Sequence, residues 1–343
     1  MQPQKGNEDV RLAALIRWVA EQTGAQVTPV PASADASFRR YFRVTLPQGS
    51  RVVMDAPPER EDSRPFVDVA GRLARAGVAV PAILAADLDQ GFLLLSDMGR
   101  QTWLETLTAD NADASFRRAI ATLIRIQQAD TAGLPVYDEA LLRRELALFP
   151  DWFLQRHLVE HLGLPLDIER APDLYRDLAE LDDLLVARAL AQPQVFVHRD
   201  YMPRNLMQGD AADPGVLDFQ DAVRGPISYD AMSLFKDAFL SWPEERVLGW
   251  LQHYWEQARQ AGLPVPAGFD DFLLDGDLMG AQRHLKVIGI FARICHRDGK
   301  PKYLADVPRF FRYLRTVAER RAQLAPLTRV LDRLREAGVP GVA

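Results

Sequence analysis

The chain has 343 residues, 48% of them apolar, enough to fill two cores or the two lobes of one enzyme. A net charge of −6 argues against a chain-wide nucleic-acid surface, and a single cysteine, Cys295, rules out an internal disulfide and any Cys-based zinc site. The start, MQPQKGNEDVR, has no apolar core of a signal peptide, and no stretch approaches about eighteen uninterrupted apolar residues, so the expectation is a cytoplasmic protein with neither membrane nor nucleic acid as partner.

Leu12, Leu15, Ile16 and Val19 fall at helical spacing and predict an amphipathic helix ending near Gly24. Ser33, Ala34, Asp35, Ala36 and Ser37 are a run of small residues whose backbone N–H groups and hydroxyls suit a phosphate. The aromatic and β-branched run over 37–46, the turn Pro47-Gln48-Gly49 and the run over 51–54 predict a hairpin. Phe66, Val69, Ala70 and Leu73 mark a second helix, with Pro65 near its start and Gly77 past its end. A strand over 82–86 and the buried run Phe92 to Leu95 follow. Ser96-Asp97-Met98-Gly99 then reads as a hinge whose backbone at Ser96 and Met98 can pair with an adenine edge, which puts a lobe boundary near residue 99.

Residues 100–343 read as mainly helical. Phe116, Ile120, Leu123 and Ile124 form one stripe; Leu142, Leu146, Phe149 and Phe153 a second, which Pro150 should kink or split; Leu174, Leu178, Leu181 and Leu185 a third. Further helices are expected around Val247 to Trp255, over 277–297 and over 308–337. Within 283–321 eleven Lys/Arg face three Asp/Glu, a surplus that a solvated helical face explains and that also suits an anionic ligand.

The chemistry concentrates in residues 195–222. Val195-Phe196-Val197 leads into His198-Arg199-Asp200, Asn205 follows five residues on, and Val216-Leu217 leads into Asp218-Phe219-Gln220. Transfer of a γ-phosphoryl group needs a carboxylate to take the proton of the attacking hydroxyl and hard oxygen ligands for Mg²⁺. Asp200 occupies the base position of H-R-D-x-x-x-x-N, while Asn205 and Asp218 occupy the metal-holding positions. An ordinary strand ending in solvated charges would explain a lone H-R-D, and the chain carries that control: His296-Arg297-Asp298 follows a helical pattern, stops at Gly299 and has Tyr303 where the asparagine should be.

In this order the motifs resemble the aminoglycoside phosphotransferase and choline kinase branch of the protein-kinase-like fold. In longer wording they resemble the anomeric N-acetylmuramate/N-acetylglucosamine kinases of bacterial cell-wall recycling. The stretches that carry the likeness are Asp35 to Arg43, His198 to Met207, Leu217 to Ala222 and Gly225 to Asp230. The resemblance implies an α+β, two-lobed fold with a small antiparallel sheet lobe over 1–99 and a larger helical lobe over 100–343. It also implies ATP and Mg²⁺ as cofactors, an amino sugar as acceptor, and Asp230 as the aspartate that braces the catalytic loop. One departure stands out: kinases carry a lysine on the third strand, yet Met54 or Asp55 holds that place and no lysine lies between Lys5 and Lys236. Arg39, Arg40, Arg43 and Arg51 are the dense basic group nearby, and Arg39 and Arg40 are the expected phosphate contacts. Asp62 and Asp68 are the acids nearest the place of the usual partner glutamate.

Three other readings compete. The acceptor of a kinase with this fold is also choline, an aminoglycoside or another sugar; the missing lysine suits a nucleotide-binding pseudokinase; and His157-Leu158-Val159-Glu160-His161 fits the H-x-x-E-H pattern of a zinc protease. The last would still need a third ligand and an open water site, and the helical pattern around it explains its spacing as surface residues on an amphipathic helix.

Overall fold

The computed structural model describes residues 5–33, 38–209 and 213–342, with side chains at 5–9 and 33 outside the description. Contacts group the chain into two compact units, Met1–Thr106 with Asn205–Asp221, and Leu107–Arg204 with Ala222–Ala343.

The first unit is built on an antiparallel sheet. Its elements in order are α1 (Lys5–Thr23), β1 (Val30–Ser33), β2 (Arg40–Leu46), β3 (Gly49–Asp55), α2 (Arg64–Arg75), β4 (Ile83–Asp87), β5 (Phe92–Ser96) and the short α3 (Trp103–Thr106). The strand order is β1-β2-β3-β5-β4. The hairpin register, Arg40 opposite Asp55 and Leu46 opposite Gly49, puts alternate residues on opposite faces. One face therefore gathers Phe42, Val44, Val53, Phe92 and Leu94, which α1 covers with Leu15, Trp18 and Val19. Met54, Leu93 and Leu95, equally buried, face the other way.

The second unit is helical. It contains α4 (Ala112–Gln127), α5 (Glu139–Leu146), a π-helix (Phe149–His161), α6 (Pro172–Ala191) and β6 (Gln194–Val197). The segment of β7 (Leu206–Met207) and β8 (Gly215–Val216) returns to the first unit before β9 (Val223–Pro226) pairs with β6. The helices α7 (Tyr229–Phe235), α8 (Glu244–Gln260), α9 (Phe269–Asp298), α10 (Val307–Arg320) and α11 (Ala325–Glu336) complete it. Pro150 does split the second stripe: it has no N–H to continue α5, and the chain re-enters helix with wider i→i+5 turns. Gly289 of α9 lies against Leu148 at this junction, where a Cβ would stand 2.3 Å from its backbone carbonyl, so only glycine lets the two segments approach. No helix among the described residues is long and apolar enough to cross a membrane.

Candidate active site

In the sheet unit, β7 and β8 form a two-stranded hairpin with Asn205 before its first strand and Asp218 two residues after its second. Leu217 N–H donates to the Asn205 carbonyl at 2.9 Å, closing the hairpin, and Asn205 Nδ2 lies 3.3 Å from Asp218 Oδ2. Gln220 Nε2 donates to the other Asp218 oxygen at 3.0 Å. Asp218 adopts φ 62°, a left-handed backbone that costs a non-glycine residue on the order of 1–3 kcal/mol and marks functional positions. Phe219 next to it packs on Phe66 of α2 with ring centroids 4.8 Å apart, so α2 fixes the turn that aims the aspartate. The two residues read as metal ligands are thus neighbours, and a carboxylate beside an amide oxygen is a donor set that suits Mg²⁺.

In the helical unit, β6 delivers His198, Arg199 and Asp200 at its end. The wholly buried Asp230 carboxylate, at the start of α7, accepts the backbone N–H groups of His198 at 2.7 Å and Arg199 at 2.9 Å, and Asp200 N–H donates to His198 Nδ1 at 3.3 Å. Burial pushes the Asp230 carboxyl up, to about 7, against the pull of those two N–H groups. Arg199 has φ 76°, and its guanidinium turns inward to the Glu145 carboxylate and over the Tyr137 ring. Lys286 Nζ reaches the same Glu145 carboxylate at 2.7 Å and Tyr229 Oη at 3.1 Å. Burial works against the charge of Glu145, but Lys286 and Arg199 outweigh it and hold the carboxyl below its ordinary range. Sequence reading missed Glu145 and Lys286. Their signal was position: Glu145 lies beside Leu142 and Leu146 on the buried side of α5, where a carboxylate needs partners.

Of the residues read as nucleotide contacts, Asp35 and Ser37 lie outside the described residues, as does the Ser33 side chain; the Ser33 backbone ends β1. Arg39 Nη2 meets Glu61 Oε2 at 3.0 Å. Glu61, just ahead of α2, was not among the acids considered from sequence. Arg40 lies on the α1 face instead: its Nε donates to the fully buried Asp55 at 2.9 Å, and Arg11 of α1 donates to the other oxygen of that carboxylate at 3.0 Å. At the hinge, Ser96 N–H donates to the Ala82 carbonyl at 2.9 Å and Ser96 Oγ accepts from Ala82 N–H at 2.8 Å. The Met98 side chain lies where a Cβ on Gly215 would be, so the hinge rests on β8. Between them Asp97 accepts from Arg43 Nε at 2.6 Å, Ser50 Oγ at 2.6 Å and Gly99 N–H at 3.0 Å. Burial raises its pKa, but these donors more than offset that and hold the carboxyl at about 2.

The basic surplus over 283–321 does not form one open patch. Arg283 and Lys286 are buried, Arg320 and Arg321 pair with Asp277, and Arg315 pairs with Asp332, so part of the missing acid lies outside that stretch of sequence.

An antiparallel five-stranded sheet unit, a helical unit, a braced H-R-D segment and an Asn–Asp pair on a short hairpin define a protein-kinase-like phosphotransferase fold. The family model described as "Phosphotransferase enzyme family" matches residues 28–272, and the chain belongs to that family. It is 58% identical to the N-acetylmuramate/N-acetylglucosamine kinase of Pseudomonas aeruginosa, over 96% of this chain and 98% of that one. With the protein of the same name from Pseudomonas putida it is 54% identical, over 95% and 97%. Among solved structures it is similar to a choline kinase from Streptococcus pneumoniae, with TM-score 0.62 and 12% identity over 88% of this chain and 98% of that one.

Proposed function

We propose that this chain is an ATP- and Mg²⁺-dependent cytoplasmic kinase that phosphorylates the anomeric hydroxyl of N-acetylmuramate and N-acetylglucosamine, returning cell-wall amino sugars to use as 1-phosphates. The observation that carries the acceptor is 58% and 54% identity, over nearly the whole chain, with two kinases of that name. The braced Asp200 and the Asn205–Asp218 pair support the reaction type. Bound Mg²⁺ supplies neutralisation of the phosphate oxygens, and Asn205 and Asp218 would hold it.

In this reading Asp200 accepts the proton of the anomeric hydroxyl as its oxygen bonds to the γ-phosphorus, and the bond to the bridging oxygen of ADP breaks. An anomeric hydroxyl is more acidic than other sugar hydroxyls, so one carboxylate is base enough for a loose transition state. The brace on His198 and Arg199 fixes the aim of Asp200, and Glu145 with Lys286 locks Arg199 away from the acceptor. Ser33, Asp35 and Ser37 are the residues assigned to the phosphates from the sequence, and the backbone at Ser96 and Met98 is assigned to adenine. Arg39, oriented by Glu61, takes the part of the absent third-strand lysine. Arg40 and Arg11 share one carboxylate, Asp55, and leave a net positive charge at that end of the sheet.

The test is to incubate each sugar with ATP and Mg²⁺ and locate the phosphate by phosphorus NMR. An anomeric phosphate survives base and is released by mild acid. Phosphate only at the 6-position, or transfer only to choline or an aminoglycoside, would overturn the acceptor and leave the kinase reading standing.

A further inference from the structure

Two motifs that phosphotransfer does not use meet in space. The π-helix carries Phe149, Phe153, His157 and His161 at spacings of four, and its wide turns place them nearly above one another: successive ring centroids are 5.5, 5.7 and 5.7 Å apart. The top of this ladder faces the end of α9, where the second H-R-D tripeptide puts His296 with its centroid 5.2 Å from both His157 and His161. His157 Nδ1 and His296 Nε2 share a hydrogen bond of 3.0 Å, which a cation bound by both rings would replace.

We propose that His157, His161 and His296 form a binding site for one borderline-soft divalent cation, Zn²⁺ or a neighbour in the late first row, which ties the end of the π-helix to the end of α9. Imidazoles are the preferred ligands of these ions, and two nitrogens on a tetrahedral zinc at 2.0–2.1 Å stand about 3.3 Å apart, close to the separation already present. Two of the three ligands come from one helix four residues apart, and the third comes from a neighbour held by Gly289 and the apolar contacts beneath. As placed, no group of three or more His, Cys, Asp or Glu among the described residues is set to hold a metal ion, so the site requires one ring to turn. The ring that turns in this proposal is His161, which is exposed on the last turn of the π-helix. The carboxylate of Glu160, next to His161, is paired with Arg156, so their charges offset each other. Three histidines with an open fourth position are a coordination set; nothing here makes it a protease, since the geometry that joins the rings also ties them to two packed helices.

The experiment is calorimetric titration of Zn²⁺ into untagged, metal-stripped full-length protein in excess Mg²⁺, beside the His296→Ala and His161→Ala variants, with circular dichroism confirming that each folds. The expected result is one saturable site in the wild type, weakened at least about 10-fold in either variant, with a zinc-dependent rise of the unfolding midpoint only in the wild type. Tetrahedral Co²⁺ absorption in the wild type, lost in both variants, would identify the same site spectroscopically. No saturable zinc binding, or equal binding in wild type and both variants, which would place the ion at the Asn205–Asp218 pair or elsewhere, overturns the proposal.

Discussion

Asp230 Oδ1 accepts the backbone N–H of Arg199 at 2.9 Å, and this bond holds a non-glycine residue at φ 76° next to the proposed base. A second bond, from His198 N–H at 2.7 Å, makes the brace bidentate. Asp230→Ala removes the acceptor of the buried His198 N–H, at a cost of about 1–3 kcal/mol, and of the part-buried Arg199 N–H. The expected outcome is a lower urea midpoint and a fall in kcat with nucleotide affinity retained. An unchanged kcat would show that the brace does not aim Asp200.

Asp200→Asn keeps the shape of the loop and removes the base. Turnover should fall by about 10²–10⁴-fold while the Kd for ATP stays close to that of the wild type. Stopped assays and equilibrium dialysis separate the two, and a near wild-type rate would remove Asp200 from the role.

Asn205 and Asp218 share one hairpin and one hydrogen bond, so their losses should differ in degree and agree in kind. Asp218→Ala should abolish Mg²⁺-dependent nucleotide binding, and Asn205→Ala should raise the Mg²⁺ concentration needed for half-maximal rate. If metal dependence is the same in both variants as in the wild type, the hairpin is not the metal site.

Arg39 and Glu61 are expected to act as one unit. Arg39→Gln should weaken ATP by roughly 10- to 150-fold, the worth of a hydrogen bond to a charged group, and leave adenosine almost unaffected. Glu61→Gln should reproduce part of that loss, and the double variant should be no worse than Arg39→Gln alone. Equal losses for ATP and adenosine would count against a phosphate role.

Asp97 gives a pH signature. Its folded pKa, about 2, lies below that of a free carboxylate, so its contribution to stability is fully present above about pH 4 and is lost as pH falls through about 2. Asp97→Asn should therefore unfold at lower urea concentration than the wild type at pH 7, with the gap narrowing as pH drops below 4. A gap independent of pH would mean that the Arg43 and Ser50 contacts carry no charge-dependent energy.

The sequence by itself determined the elements and the order of the chemistry, because both rest on local regularities. Hydrophobic spacing marked α1, α2, α4 and α6, the turn at Pro47-Gln48-Gly49 marked the hairpin, and H-R-D, Asn205 and Asp218 kept the spacing that phosphoryl transfer requires. Tertiary structure decided which charges face each other, since those partners lie far apart in sequence and no spacing rule connects them. Alternation along β2 showed that Arg40 and Arg39 differ, but only packing assigned Arg40 to Asp55 and Arg39 to Glu61. The basic run over 283–321 looked like a surface because sequence cannot show that Asp277, Asp332 and Glu145 absorb its charges. His157, His161 and His296 read as two unrelated motifs until a π-helix, whose i→i+5 turns no apolar stripe distinguishes from α-helix, carried the first pair to the end of α9.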